Sequence, residues 1–248
     1  MRFETVSLRN NLSKKKRLEV VANMINRSSS DIILFGGHTV LDMADCNELV
    51  NGINNIETSV VFEVKRMEES SFIKLNNCLC RIENACLENM FTNQLFSTSK
   101  EIEDNIPLCE RFINELETKR IVEIKKKRCL VVQCGEINIV KNIQKEGNRP
   151  VFRLSNNRDL EERFFNLLDS VDIVMNPIHT PMGNQGKMER RRELLSSNCR
   201  YYFSTSNTDE KHSIDSSSLQ YSFYNGNRLR ETLREVNSNA QIRVFDFD

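Results

Sequence analysis

Short runs rich in β-branched residues recur along the chain, separated by amphipathic or polar stretches. Asp31–Phe35, Ser59–Lys65, Cys129–Cys134 and Val171–Met175 each read as a strand, and Arg200–Ser204, Tyr221–Tyr224 and Gln241–Phe245 read as three more. The first and third are nearly continuous in apolar residues, the pattern of strands covered on both faces. Between the strands the period lengthens to that of helices. Residues 13–27 align Leu18, Val21, Ala22 and Ile25 on one stripe behind Ser13, whose hydroxyl suits a helix start. Residues 158–169 place Leu160, Phe164, Leu167 and Leu168 at the same spacing, and 185–199 align Met188, Leu195 and Cys199 beneath a basic face carrying Arg190, Arg191 and Arg192. Asn225–Gly226 signals a tight turn and a late hairpin. The weakly periodic stretch 66–100 and the polar stretch 206–219 read as loops. Strand signals continue on both sides of each, so neither divides the chain. The pattern predicts one α/β domain over 1–248, with two packed sheets and helices outside them.

Composition narrows the class. With 248 residues, 39% of them hydrophobic, the chain can bury a substantial core. Thirty-five Lys and Arg balance 35 Asp and Glu, so no global field draws the molecule to nucleic acid or to an anionic membrane. No apolar run is long enough to span a bilayer, and Met1–Thr5 lacks the apolar core of a secretory signal. A cytoplasmic location is the expectation. The eight cysteines then read as free thiols of a reducing compartment. Cys78, Cys80 and Cys86 are spaced C-x-C-x5-C, but no second pair at zinc-finger spacing completes them, so no metal and no cofactor is expected.

The elements, read in order, resemble the nitrilase superfamily of carbon–nitrogen hydrolases. Ser30–Gly37 resembles that family's first buried strand, Phe96–Lys100 its lysine segment, and Arg128–Ile137 the strand and elbow that carry its nucleophile. Ser170–Pro177, Ser197–Asn207 and Gln241–Asp248 follow in the family's order. The resemblance covers nearly the whole chain, and its order and spacing carry it rather than any single motif. It implies a four-layer α-β-β-α sandwich, pairing as a homodimer, and hydrolysis of a small amide or nitrile through a cysteine nucleophile. On it, Cys134 is the nucleophile, Lys100 the cation that steadies the developing oxyanion, and Glu136 an acidic neighbour of the thiol. The thiolate needs a base and the oxyanion a fixed donor.

One departure stands out. Where the family carries Pro-Glu after its first strand, this chain has Gly36–Gly37 followed by His38. His38 is the substitute base on this reading, since imidazole titrates near neutrality, and Gly37→Glu would restore the carboxylate. His179 and Asn176 lie at the end of the strand at 171–175, where α/β folds gather binding residues, and are expected to contact substrate. Two other readings stay open. The missing carboxylate favours a catalytically degenerate scaffold that binds, senses or assembles. Val61–Lys65 also contains an E-x-K strand, which with Asp45 upstream would give a Mg²⁺-dependent nuclease built on Asp45, Glu63 and Lys65.

Overall fold

Four consecutive apolar residues, Ile32–Phe35, are buried on both faces because a layer covers each side of their strand. A computed structural model describes residues 1–65, 77–182 and 185–248. In chain order its strands are β1 (Arg2–Leu8), β2 (Ile32–Phe35), β3 (Ser59–Lys65), β4 (Asn77–Glu83), β5 (Cys86–Asn93), β6 (Ile121–Ile124), β7 (Lys127–Val131), β8 (Val140–Ile143), β9 (Arg149–Phe152), β10 (Ile173–Ile178), β11 (Tyr201–Ser206), β12 (Gln220–Tyr224), β13 (Asn227–Arg228), β14 (Leu233–Val236) and β15 (Ala240–Asp246). The helices are α1 (Lys14–Arg27), α2 (Ala44–Asn51), α3 (Ser99–Ile102), α4 (Ile106–Lys119), α5 (Arg158–Asp169) and α6 (Gln185–Leu195).

One sheet runs β14-β15-β1-β2-β3-β4-β5 and the other β13-β12-β11-β10-β7-β6, while β8 and β9 form a separate hairpin. β1, β2 and β3 are parallel, as are β7, β10 and β11, so the carboxyl ends within each parallel set lie together. Alternation along the strands sorts the core into three shells. Ile32, Leu34 and Val61 of the first sheet meet Cys129, Val131, Ile173, Met175 and Phe203 of the second. Ile33, Phe35, Val60 and Phe62 turn the other way, against Leu18, Val21 and Ile25 of α1 and Leu49 of α2. Leu130 and Val174 pack against Phe112 and Ile113 of α4 and Phe164 and Leu168 of α5. The result is the α-β-β-α sandwich that the pattern predicts. Among the described residues no helix is long and apolar enough to cross a membrane.

Two local readings need correction. Within 66–100, residues 77–93 form the antiparallel β4–β5 hairpin at the edge of the first sheet and α3 begins at Ser99, while 66–76 lie outside the described residues. The basic helix ends at Leu195, and Cys199 lies exposed beyond it with φ 59° rather than on its buried stripe. Met188 and Leu195 do pack inward, and Arg191 and Arg192 of the basic face are buried as well. The Asn225–Gly226 turn joins β12 to β13 with φ 48° and 76°, the left-handed pair of a two-residue hairpin turn.

Candidate active site

Cys134 stands where β7 leaves its sheet. Inward-facing Cys129 and Val131 are followed by Gln133, also buried, and the chain then tightens into a 3-10 turn over Cys134–Ile139. Two contacts hold this elbow. A Cβ on Gly135 would lie 2.6 Å from the Ser97 Cα, so only glycine lets the two backbones approach this closely. Glu136 turns back from the thiol: its oxygens take Arg120 at 2.6 and 3.1 Å, the Gln133 amide at 2.9 Å and the Leu95 amide at 2.8 Å. The Cys134 thiol is left partly accessible.

His179 follows the end of β10 and hydrogen-bonds the Cys134 side chain. Its ring Nε2 lies 2.7 Å from Oε2 of Glu63. Glu63 reaches it because β3 alternates: Phe62 and Val64 face the helices, so Val61 and Glu63 point between the sheets. The second oxygen of Glu63, Oε1, accepts Gln133 Nε2 at 2.7 Å, which ties the carboxylate to the residue preceding the nucleophile candidate. His38 stacks on His179, with ring centroids 3.8 Å apart and planes at 13°. It does so from a left-handed backbone position, φ 56°, which non-glycine residues adopt rarely and which is frequent at functional sites. Gly37 N donates to Ile178 O at 2.8 Å, and Asn207 Nδ2 donates to Gly37 O at 2.7 Å, so the loop carrying His38 is fastened to the ends of β10 and β11.

The electrostatics follow from the contacts. Burial opposes charge on His179, but the Glu63 carboxylate and the Cys134 side chain outweigh it and raise the imidazole to about 10. Burial likewise opposes charge on Glu63, and the facing His179 together with Gln133 holds its carboxyl below the ordinary value. A charged carboxylate–imidazolium pair therefore sits beside an accessible thiol.

The structure thus brings Cys134, His179 and His38 into one cluster. It does not bring the others. Lys100 is exposed on the short helix α3. Glu136 is committed to Arg120. Asn176 is fully buried, donating to Val132 O and accepting the Tyr202 hydroxyl at 2.9 Å, so it links β7, β10 and β11 rather than facing substrate. The nuclease constellation is dispersed by the pleat. Asp45 lies on α2, paired at 2.9 Å with Lys14 on the helix-covered face of the first sheet, whereas Glu63 points to the opposite face and Lys65 is exposed. Glu63 is the residue that the sequence left unassigned to the thiol.

His38, Glu63 and His179 do present ligand-type atoms within 4.8 Å of one another. Their arrangement does not suit a metal. The lone pairs of two stacked imidazoles lie in separate parallel planes and do not converge on a point about 2.1 Å from both nitrogens. The direct 2.7 Å bond of His179 to Glu63 also fills the space an ion would need. Of the C-x-C-x5-C cysteines, Cys80 is buried and Cys86 exposed, and the Cys78 side chain lies outside the described residues.

No family model matches the chain, and no curated protein matches it. Solved structures do. A CN-hydrolase superfamily protein of Xanthomonas campestris, with an arsenic adduct in its active site, superposes with a TM-score of 0.56 at 11% identity, covering 99% of this chain and 90% of that one. An amidase of Nesterenkonia sp. AN1, solved with acrylamide added at its active-site cysteine, gives 0.54 at 8% identity over 100% and 93%. The same amidase in complex with butyramide gives 0.55 at 8% over 100% and 90%. The fold is that of the CN-hydrolase superfamily, as the order of elements in the sequence implies.

Proposed function

We propose that this protein is a cysteine-dependent hydrolase of carbon–nitrogen bonds that acts on a small amide or nitrile through Cys134. One observation carries the reading: within this fold, a partly accessible thiol at the carboxyl end of a parallel strand is hydrogen-bonded to an imidazole. Sulfur would attack the substrate carbon, the nitrogen would leave as the C–N bond breaks, and water would release the acyl group from sulfur. The amidase neighbour carries acrylamide added at its active-site cysteine in one mutant and is complexed with butyramide in another, which supports the substrate class. The second reading, a binding scaffold without turnover, is favoured by the exposed position of Lys100, the residue that the resemblance assigns to the oxyanion.

Turnover of short aliphatic amides and nitriles, followed by ammonia release, separates the two. Cys134→Ala is expected to abolish it, because a methyl group cannot attack carbon. Cys129→Ala is expected to leave kcat within a factor of two or so and to cost roughly 1–2 kcal/mol of stability, since that thiol is fully buried between the sheets and burial pushes it up to about 12. A wild type that turns over no amide or nitrile but binds one would establish the scaffold.

A further inference from the structure

The resemblance places a carboxylate base just after the first buried strand, at Gly36–Gly37, and the chain has none there. The structure shows what stands in that space. A Cβ on Gly37 would lie 2.8 Å from Oε2 of Glu63 and 2.9 Å from the His179 backbone nitrogen, and closer still to Cδ2 of the His179 ring. A side chain at this position and the His179–Glu63 pair exclude each other. The glycine is therefore a condition for the pair rather than a bare deletion.

We propose that His179 is the catalytic base and acid of this site and that Glu63 is its positioning carboxylate, a Cys134–His179–Glu63 relay that takes the place of the carboxylate base lost at Gly36–Gly37. The proposal rests on Cys134 being the nucleophile, and it adds which groups move the proton. Three features of the geometry carry it. His179 hydrogen-bonds the thiol; its ring Nε2 is held by a fully buried carboxylate at 2.7 Å; and that carboxylate is itself oriented by Gln133, one residue from the thiol, at 2.7 Å. A nucleophile, a base within hydrogen-bond reach and a third group that orients the base form the general arrangement for activating a weak nucleophile.

The steps balance. In the resting pair His179 already holds the Cys134 proton, so the thiolate sulfur forms its bond to the substrate carbon as the C=O π pair moves onto oxygen. When the tetrahedral species collapses, the C–N bond breaks and His179 returns the proton to the leaving nitrogen, giving a thioester and free amine. Water then attacks the thioester carbon, surrendering its proton to His179. The C–S bond breaks, the carboxylic acid departs, and the thiolate is left beside the protonated His179, which closes the cycle. Glu63 stays ionised throughout and holds the ring in place.

The test is the pH dependence of iodoacetamide alkylation, read at the Cys134 peptide by mass spectrometry, which needs no turnover. In the wild type the rate is expected to stay nearly level from about pH 6 to 9. In His179→Asn it should fall about tenfold per pH unit below an ordinary thiol value near 8.5. Glu63→Gln should move the inflection toward that value and Glu63→Asp should bring part of the shift back, a rescue that a packing role would not show. Amide turnover should drop roughly 10²–10⁴-fold in His179→Asn. An ordinary thiol titration near 8.5 in the wild type overturns the relay without any variant, so a poorly folded Glu63→Gln does not rescue it. A profile in His179→Asn identical to the wild type also overturns it. If Cys134→Ala still hydrolyses amides, the nucleophile assignment fails instead.

Discussion

At the scale of single residues, the exchange of Gly37 for a carboxylate is the informative substitution, because sequence and structure give it opposite signs. By resemblance, Gly37→Glu would return a missing base. In the folded chain a side chain there collides with the His179 ring and with Oε2 of Glu63. The constraint is steric rather than conformational: the left-handed residue of this loop is His38, at φ 56°, and not Gly37. Gly37→Ala is therefore expected to cost about 1–3 kcal/mol through overpacking, and Gly37→Glu to lose the wild-type alkylation profile of Cys134 as well. Urea midpoints and the alkylation rate at pH 7 check this, and a Gly37→Glu protein with raised amidase activity would contradict it. Cys134 and His179 were legible in the sequence because each follows a strand end. Glu63 was not recognised as their partner: alternating Val, Phe, Glu and Lys also describes a half-exposed strand, and only its burial between the sheets reveals a carboxylate that must have a partner.

At the scale of elements, the strand–elbow after β7 depends on a buried ion pair. Arg120, just past the end of α4, and Glu136, inside the 3-10 turn, are both fully buried and meet at 2.6 Å, while Glu136 also receives the Gln133 and Leu95 amides. The pair clamps the segment that presents Cys134. Glu136→Ala strands the Arg120 guanidinium in the interior and is expected to cost about 3–5 kcal/mol, whereas the double replacement Arg120→Leu/Glu136→Leu recovers much of that loss. A double-mutant cycle by urea denaturation reads the coupling, and additive costs would show that the two residues act separately. The buried strands β2, β7 and β10 were legible because apolar runs have few other uses. The β4–β5 edge hairpin and α4 were not. The hairpin turns at Asn84–Ala85, both at positive φ without a glycine to signal it. In α4 the stripe of Cys109, Phe112, Ile113 and Leu116 opens after Asn105 and Pro107 in a stretch that carries charges throughout.

At the scale of the molecule, the zero formal charge of the sequence leaves its pH response to a few buried groups rather than to general repulsion. His179 is raised from 6.5 to about 10. A folded-state value above the unfolded one stabilises fully below the unfolded value, so this contribution is complete below about pH 6.5 and is lost as pH climbs through 10. Glu63 lies below its ordinary carboxyl value, so its contribution is present above that value and is lost on acidification. The buried thiols Cys109 and Cys129, each pushed up to about 12 by burial, act later: the unfolded chain ionises them first, and stability falls between about pH 9 and 12. The alkaline limb should therefore descend in two steps, the earlier belonging to the His179–Glu63 pair, with a slope of at most about 1.4 kcal/mol per pH unit for one proton. Urea midpoints measured from pH 5 to 11 test the assignment. His179→Asn is expected to lower stability near pH 6 and to flatten the step between pH 6.5 and 10, leaving the later thiol step unchanged. An undiminished slope over that first interval in His179→Asn would mean that the proton taken up on folding there sits on another group.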